Sequence, residues 1–172
     1  MKYRLTAFLT VFSFFCLTAQ GNFWTDISES EIVLPENSEW EALPTQYRTL
    51  SLNFDAVKDW LKDAPLEMTQ AAKNNPVPIM IPMPNGDLKK FMVYNSMTMH
   101  PDLAAQYPEI KTFAGWEDGN FENRIRLDYG HMGFHGMINA GGETIYIDPY
   151  ATNQTQYYIS FNKKDFDVES LD

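Results

Sequence analysis

The sequence has a single cysteine, Cys16, and it lies in an N-terminal segment that we expect to be removed. The remaining chain then has no thiol, which excludes disulfide bonds, thiolate metal sites and cysteine nucleophiles. Lipoprotein acylation of Cys16 is an alternative. It is disfavoured because Phe14 and Phe15 precede the cysteine where small residues are usual.

Basic residues are also scarce, so the chain is strongly acidic. Its 13 Lys and Arg stand against 23 Asp and Glu, and the net charge of −10 becomes −12 once Lys2 and Arg4 are lost. Such a surface repels phosphate backbones and anionic membranes, so we expect neither nucleic-acid binding nor stable membrane insertion. A content of 44% hydrophobic and 15% aromatic residues is nevertheless enough for one folded core.

The first 20 residues predict a secretory signal peptide. Lys2 and Arg4 precede an apolar run of thirteen residues, Leu5–Leu17, and cleavage is expected near Ala19 or Gln20. A run of that length is too short to span a bilayer comfortably. The prediction is therefore a protein that is secreted or held in the cell envelope, periplasmic or extracellular. A buried N-terminal helix and an uncleaved anchor are the alternatives.

The rest of the chain divides into three parts. Residues 21–44 read as an extended acidic arm interrupted by Pro35 and Pro44. Residues 45–162 predict the folded domain, and 163–172 predict an acidic linker toward a catalytic domain that the 172 residues do not include. We expect the arm to dock through its aromatic residues, Phe23, Trp24 and Trp40.

Alternating apolar residues and turn signals predict an α+β domain with a mainly antiparallel sheet. Two short helices are expected, at 56–64 with Asp55 as its cap and at 101–107 after His100. The pattern gives seven to eight short strands, at 47–54, 77–84, 88–96, 109–115, 124–129, 133–139, 144–150 and 156–162.

One hairpin has a strong local signal. Asn85-Gly86 lies between two apolar runs, which predicts a type I′ turn with positive φ at both residues. Pro78, Pro82 and Pro84 recur at even spacing, so their missing N–H groups can face the unpaired side of an edge strand.

The histidines do not predict a metal site. His131 and His135 have the spacing of a zinc helix, but Met132 stands where the HExxH pattern requires Glu, and the nearby glycines disfavour a helix. In a strand, residues four apart lie about 13 Å apart, too far for one zinc ion. We expect one exposed histidine and one partly packed in the sheet.

The carboxylates do not predict a catalytic site either. Asp128 and Asp148 each end a strand pattern, where Asp commonly closes a turn. A catalytic acid pair needs facing positions and a pocket, which the sequence alone does not show. No catalytic, cofactor-binding or metal-ligating residue is therefore predicted, and a self-sufficient hydrolase is the least favoured function.

Several ordered patches resemble the N-terminal pro-region of secreted reprolysin-like zinc metalloproteases from Bacteroidetes-type bacteria. They read SMTMHPDLAAQYPEIKTFAGWED, IRLDYGHMGFHGMI and TIYIDPY, with LPTQYRTLSLNFDAVKDWLKDAP and IPMPNGDLKKFMVYNS as the earlier half, and the resemblance covers about residues 43–162. In that family a catalytic domain with HExxHxxGxxH follows, and no position here matches it.

The resemblance implies a non-catalytic pro-domain that assists folding or latency of a downstream or cognate peptidase domain. Zinc is expected only in that absent domain. Without a thiol, inhibition would require covering the cleft or offering an oxygen ligand to zinc. Asp165, Asp167 and Glu169 are the candidate ligands, and a solvated acidic linker is the simpler interpretation of the same residues.

An alternative function is a free-standing secreted binding or adhesion module that uses surface aromatics. Its candidate residues are Trp116, Phe121, Tyr157 and Tyr158, which are otherwise read as core and rim aromatics. The second helix is expected to lock against the sheet through Leu103, Tyr107, Ile110 and Phe113.

Overall fold

The alternation of apolar and polar residues produces nine strands in the computed structural model, which describes residues 21–39 and 43–166. The strands are β1 (Trp24–Asp26), β2 (Arg48–Leu52), β3 (Val77–Pro82), β4 (Leu88–Asn95), β5 (Lys111–Glu117), β6 (Asn120–Gly130), β7 (Gly133–Ala140), β8 (Glu143–Pro149) and β9 (Tyr157–Asn162). They form one antiparallel sheet in the order β1-β2-β9-β8-β7-β6-β5-β4-β3. The α+β class with an antiparallel sheet is confirmed, but the expected seven to eight strands become nine.

The additional strand comes from the predicted arm. Trp24 pairs with Leu52 of β2, and its ring lies edge-on to Phe134 and Tyr158 at centroid distances of 5.4 and 5.5 Å. Because Trp24 is only 6% exposed, this end of the arm belongs to the core. The predicted signal peptide and Trp40 lie outside the described residues.

Three short α-helices are described, where two were expected: α1 (Phe54–Leu61), α2 (Gln70–Asn74) and α3 (Pro101–Gln106). Asn53, rather than Asp55, caps α1, because its Oδ1 accepts a hydrogen bond from the N–H of Ala56. The unexpected α2 is capped in the same way by Thr69. Within the described residues, no helix has the length and apolarity needed to cross a membrane.

The turns are correct in position, but one differs in type. Gly86 has φ 97°, whereas Asn85 does not have a positive φ, so this is not a type I′ turn. The loop has three residues. Pro84, whose ring fixes its φ, begins a type I turn, and Gly86, with its positive φ, forms the bulge that completes the loop. Two consecutive positive φ values occur instead at Gly141-Gly142, between β7 and β8. β3 is an edge strand, as predicted.

The sheet is nearly closed, because its two ends are joined by hydrogen bonds. The N–H of Met80 in edge strand β3 donates to the carbonyl of Gly21, just before β1, at 3.0 Å. Ser160 Oγ of β9 donates to the carbonyl of Pro82 at 2.9 Å. The inner face of this sheet and α1 enclose the main core. Its largest fully buried side chains are Tyr158, Phe91, Phe113, Phe134, Leu50 and Leu61.

Part of the outer face is covered by the chain itself. Ile32, Leu34 and Leu43 of the arm pack on a second apolar cluster that includes Ile159 and Phe161 of β9. The outward side chains of β4 to β7 remain partly or fully exposed. The arm therefore leaves one side of the sheet open.

Candidate partner-binding face

Strand register places a row of outward side chains across five neighbouring strands. Tyr94 of β4 is opposite Ala114 of β5, and Ala114 is opposite Arg126 of β6. The row continues from Arg126 to Met137 of β7 and then to Tyr146 of β8. Because successive residues of a strand point to opposite faces, all five lie on the outer side of the sheet.

A second row lies beside the first and carries the aromatic platform. Met92 is opposite Trp116, and Trp116 is opposite Arg124. The Trp116 ring lies 5.5 Å from the ring of Phe121 and 6.1 Å from that of Tyr94. We define the open face as the surface made by the uncovered larger side chains of these two rows together with Phe121: Met92, Tyr94, Trp116, Phe121, Arg124, Arg126 and Met137.

The open face carries positive charge in an acidic protein. Arg124 and Arg126 are both exposed, and neither forms an ion pair with any residue in the described part of the chain. By contrast, Lys89 nearby is paired with Glu117 at 3.0 Å. A guanidinium group can bind a carboxylate through two parallel hydrogen bonds, so the two arginines can receive acidic groups from a partner.

A row of ionisable side chains borders the open face. Asp128 of β6 is directly opposite His135 of β7, and His135 Nδ1 lies 2.9 Å from Asp148 Oδ1 of β8. Burial raises the pKa of the Asp128 carboxyl above its usual 3.8; Asp148 adds to this rise through repulsion, while His135 opposes it. The row assembles three titratable groups that the sequence separates by up to 20 residues.

The same row borders a cavity of about 420 Å³. His131 is exposed at the β6–β7 turn and His135 is half-buried on the strand, as the sequence predicts for this pair. Both histidines line the cavity together with Asp148 and Asn153. Among residues 21–39 and 43–166, no group of three or more His, Cys, Asp or Glu is arranged to hold a metal ion.

The three acidic candidates from the sequence are only partly described. Asp165 ends a short 3₁₀ turn after β9, where its carbonyl accepts hydrogen bonds from the N–H and hydroxyl of Thr45 at 2.8 and 3.0 Å. Its carboxylate accepts one from Asn162 at 3.1 Å. Asp165 therefore fastens the end of the sheet to the segment that precedes β2. Asp167 and Glu169 lie outside the described residues.

The four aromatic candidates do not form one surface cluster. Trp116 and Phe121 stack together on the open face. Tyr158 is fully buried in the core, and Tyr157 packs in the cluster beneath the arm. The alternative of a shared aromatic surface therefore does not hold for Tyr158, which is a core aromatic, as the other interpretation of these residues expects. Adjacent residues of β9 point to opposite faces, so Tyr157 and Tyr158 cannot both face outward.

Comparison with protein-family models, with curated proteins and with solved structures finds no match.

Proposed function

We propose that this chain is the non-catalytic pro-domain of a secreted zinc metalloprotease, and that it binds the peptidase domain to assist its folding or restrain its activity. The proposal combines the sequence resemblance with the positions in the sheet of the residues on which that resemblance rests. The patches at residues 96–118, 125–138 and 144–150 cover β5 and much of β6 to β8, which lie side by side in the sheet. Their outward residues include Trp116, Arg126 and Met137 of the open face, and the earlier patch IPMPNGDLKKFMVYNS contributes Met92 and Tyr94.

The open face is the observation that carries the binding role. Trp116, Arg126 and Met137 belong to the residue types that are enriched in the buried centres of protein interfaces. They are held on paired strands, so little backbone conformational entropy is lost when a partner covers them. Arg124 and Arg126, which form no ion pair within residues 21–39 and 43–166, favour a peptidase surface that presents carboxylates among apolar side chains.

Latency would follow from steric cover or from an oxygen ligand, because residues 21–172 contain no cysteine. The carboxylate of Asp165 is already hydrogen-bonded to Asn162. Asp167 and Glu169 follow it closely in the chain and remain the candidate ligands to zinc in the partner. Zinc itself belongs to the peptidase domain in this proposal.

The test uses the secreted chain and its cognate peptidase domain, prepared separately. Calorimetry, refolding yield and peptide hydrolysis should show binding together with slower hydrolysis or better refolding. Exchanging both Arg124 and Arg126 for Glu should weaken binding at least about tenfold, since charged contacts at interfaces contribute about 2 kcal/mol or more. Exchanging Lys62 and Lys73 for Glu makes the same charge change on exposed helical sites and should have little effect. Absence of binding, inhibition and improved refolding would refute the proposal.

A second candidate is a free-standing secreted adhesion module. The contacts of Trp116 with Phe121 and Tyr94 form an aromatic platform that can lie against a carbohydrate. A glycan array separates the two candidates. If the chain is an adhesion module, the wild-type chain should capture a glycan and should not bind a peptidase, and Trp116→Ala should abolish glycan capture. Sequencing the N-terminus of the exported protein tests secretion, and a start at Gln20 or Gly21 is expected.

A further inference from the structure

The connection between β4 and β5 exposes apolar side chains that were expected to be buried. Leu103 and Tyr107 were predicted to lock α3 against the sheet, but they are 46% and 47% exposed and α3 buries no residue. Met97, in the same connection, is 62% exposed. Packing against the sheet therefore does not explain the apolar character of this segment.

A second segment with exposed apolar residues is fixed beside it. Leu66 and Met68 are 52% and 88% exposed. The N–H of Glu67 donates to the carbonyl of Asn95 at 2.8 Å, and the N–H of Asn95 donates to the carbonyl of Pro65 at 2.9 Å. These backbone bonds hold the two segments side by side, so their apolar side chains form one surface.

The two segments border an apolar cavity of about 430 Å³, which we call the end groove. Its apolar lining includes Leu66, Met97, Met99, Ala104 and Ile110. Methionine is flexible and polarisable, and it is common on surfaces that adapt to different partners. An exposed apolar surface with a concave centre is typical of an interaction site.

The rim of the end groove is acidic. The Glu67 carboxylate accepts a hydrogen bond from the N–H of the lining residue Met97 at 3.4 Å. Asp102 and Glu109 are exposed and follow or precede the lining residues Pro101 and Ile110 in the chain. Lys111 is the only cation in the lining. His100 Nδ1 lies 3.6 Å from Asp102 Oδ2 and caps α3 by accepting a hydrogen bond from the N–H of Asp102 at 3.4 Å. Three carboxylates against one ammonium group make the rim complementary to a basic partner.

We propose that the end groove binds a basic amphipathic helix of another polypeptide. Its apolar face would occupy the groove between Leu66 and Met97, and its Lys or Arg side chains would reach Glu67, Asp102 and Glu109. This is the helix-in-groove mode of recognition, with the apolar contacts giving affinity and the charges giving orientation. The proposal concerns a surface separate from the open face and does not depend on the function of that face.

The test measures binding of the mature chain to a fluorescein-labelled peptide of about 18 residues, long enough for five helical turns, made only of Leu and Lys in amphipathic order. Its controls are a peptide with the same residues in scrambled order and one with Glu in place of Lys. Fluorescence anisotropy should show saturable binding of the first peptide alone. Equal binding of the scrambled peptide would overturn the proposal, since charge alone would then explain the signal.

Three variants test whether the end groove is the binding surface. The double change Leu66→Gln with Met97→Gln should weaken binding at least about tenfold, because both side chains line the groove and their contacts with the peptide would be lost. Val33→Gln, at a residue that is 77% exposed on the arm, makes the same kind of change elsewhere and should bind like wild type. Arg124→Glu with Arg126→Glu should also leave peptide binding unchanged, which separates this result from the test of the open face. Unweakened binding by the first variant would refute the assignment.

A lipid surface is the competing occupant. The acidic rim predicts no adsorption to vesicles of phosphatidylcholine with phosphatidylglycerol. Vesicle binding that is lost in the Leu66→Gln, Met97→Gln variant would assign the groove to lipid and overturn the peptide proposal.

Discussion

Replacing Arg48 by Met should destabilise the fold, because Arg48 joins the two ends of the sheet. Its Nε and Nη2 atoms donate to the two carboxylate oxygens of Asp26 at 2.6 and 2.8 Å. Its Nη1 atom donates to the carbonyls of Met83 and Asp87, both at 2.9 Å, in the β3–β4 turn. One guanidinium group therefore connects β1, β2 and that turn, and methionine keeps only its apolar stem.

The expected loss of unfolding free energy is about 2.5–3 kcal/mol, summed from these contacts. The Asp26 side chain is 66% exposed, so its ion pair contributes only about 0.5–1 kcal/mol. The two hydrogen bonds to carbonyls contribute about 1 kcal/mol each, and the Arg48 side chain is only 12% exposed, which limits repair by water. For a domain of this size, the loss corresponds to a Tm lower by about 5–10 °C.

Urea and thermal unfolding followed by circular dichroism measure this loss. Lys62→Met is the control, because it removes an exposed pair with Asp59 and should leave the free energy of unfolding nearly unchanged. Hydrogen bonding to Arg48 lowers the pKa of Asp26, so the pair stabilises above pH 3.8 and is lost as the pH falls through the lowered value. The deficit of Arg48→Met should therefore shrink in acid. A variant within about 0.5 kcal/mol of wild type at neutral pH would refute the role of Arg48 in closing the sheet.

Three further substitutions test the core and the ionisable row by the same unfolding measurements. Tyr158→Phe should cost about 1–3 kcal/mol, because the buried N–H of Phe134 loses its hydrogen-bond acceptor at 3.1 Å. Gly115→Ala should cost about 3 kcal/mol or prevent folding, since a Cβ atom there would lie 2.2 Å from the carbonyl oxygen of Met92. Asp128→Asn should stabilise the protein at neutral pH and change little near pH 3.8 and below, because the raised pKa of Asp128 makes the charged form unfavourable in the folded state.

Each of these expectations has an opposite outcome that would contradict it. A Tyr158→Phe variant as stable as wild type would mean that the Phe134 amide finds another acceptor. A Gly115→Ala variant that unfolds like wild type would mean that β4 and β5 can separate without loss. A loss of stability at neutral pH in Asp128→Asn would show that attraction to His135 outweighs the cost of burial.

Local signals predicted most of the strands, because alternation and turn residues are properties of a few neighbouring residues. Gly141 and Gly142 have positive φ and allow the short β7–β8 turn that their sequence suggests. Pro78 and Pro82 lie in an edge strand for the reason given from sequence. The Asn85-Gly86 turn differed because Pro84, one residue earlier, fixes its own backbone and extends the loop to three residues.

Contacts between distant parts of the chain were not predictable in the same way. Trp24 lies in a strand of three residues, too short for a periodic pattern, and its partner Leu52 is 28 positions away. The row of Asp128, His135 and Asp148, however, could have been predicted from the sequence. Short turns join β7 to β6 and to β8, so counting residues back from each turn gives the strand register. That register brings the three side chains together on the outer face.

Exposure could not be read from residue type alone. Leu103 and Tyr107 have the spacing of a packed helical face, yet α3 lies where no described element covers them. Ile159 and Phe161 face outward from the sheet but are buried, because the arm returns over them. Whether an outward apolar residue is covered depends on the path of a segment far away in the sequence. That path is decided by the total packing of the chain and not by any local pattern.

The two proposed surfaces differ in sign, and this limits which partners can use them. The end groove has the acidic character of the whole chain, whose net charge is −10, so a basic helix is attracted to it from a distance. The open face has two exposed arginines in a field that repels acidic partners at long range. Its attraction acts only within about 8 Å at physiological salt, after apolar contacts have brought the surfaces together. A partner of the open face must therefore make complementary apolar contacts before its carboxylates can pair with the arginines. A folded domain meets this requirement better than a flexible acidic peptide does.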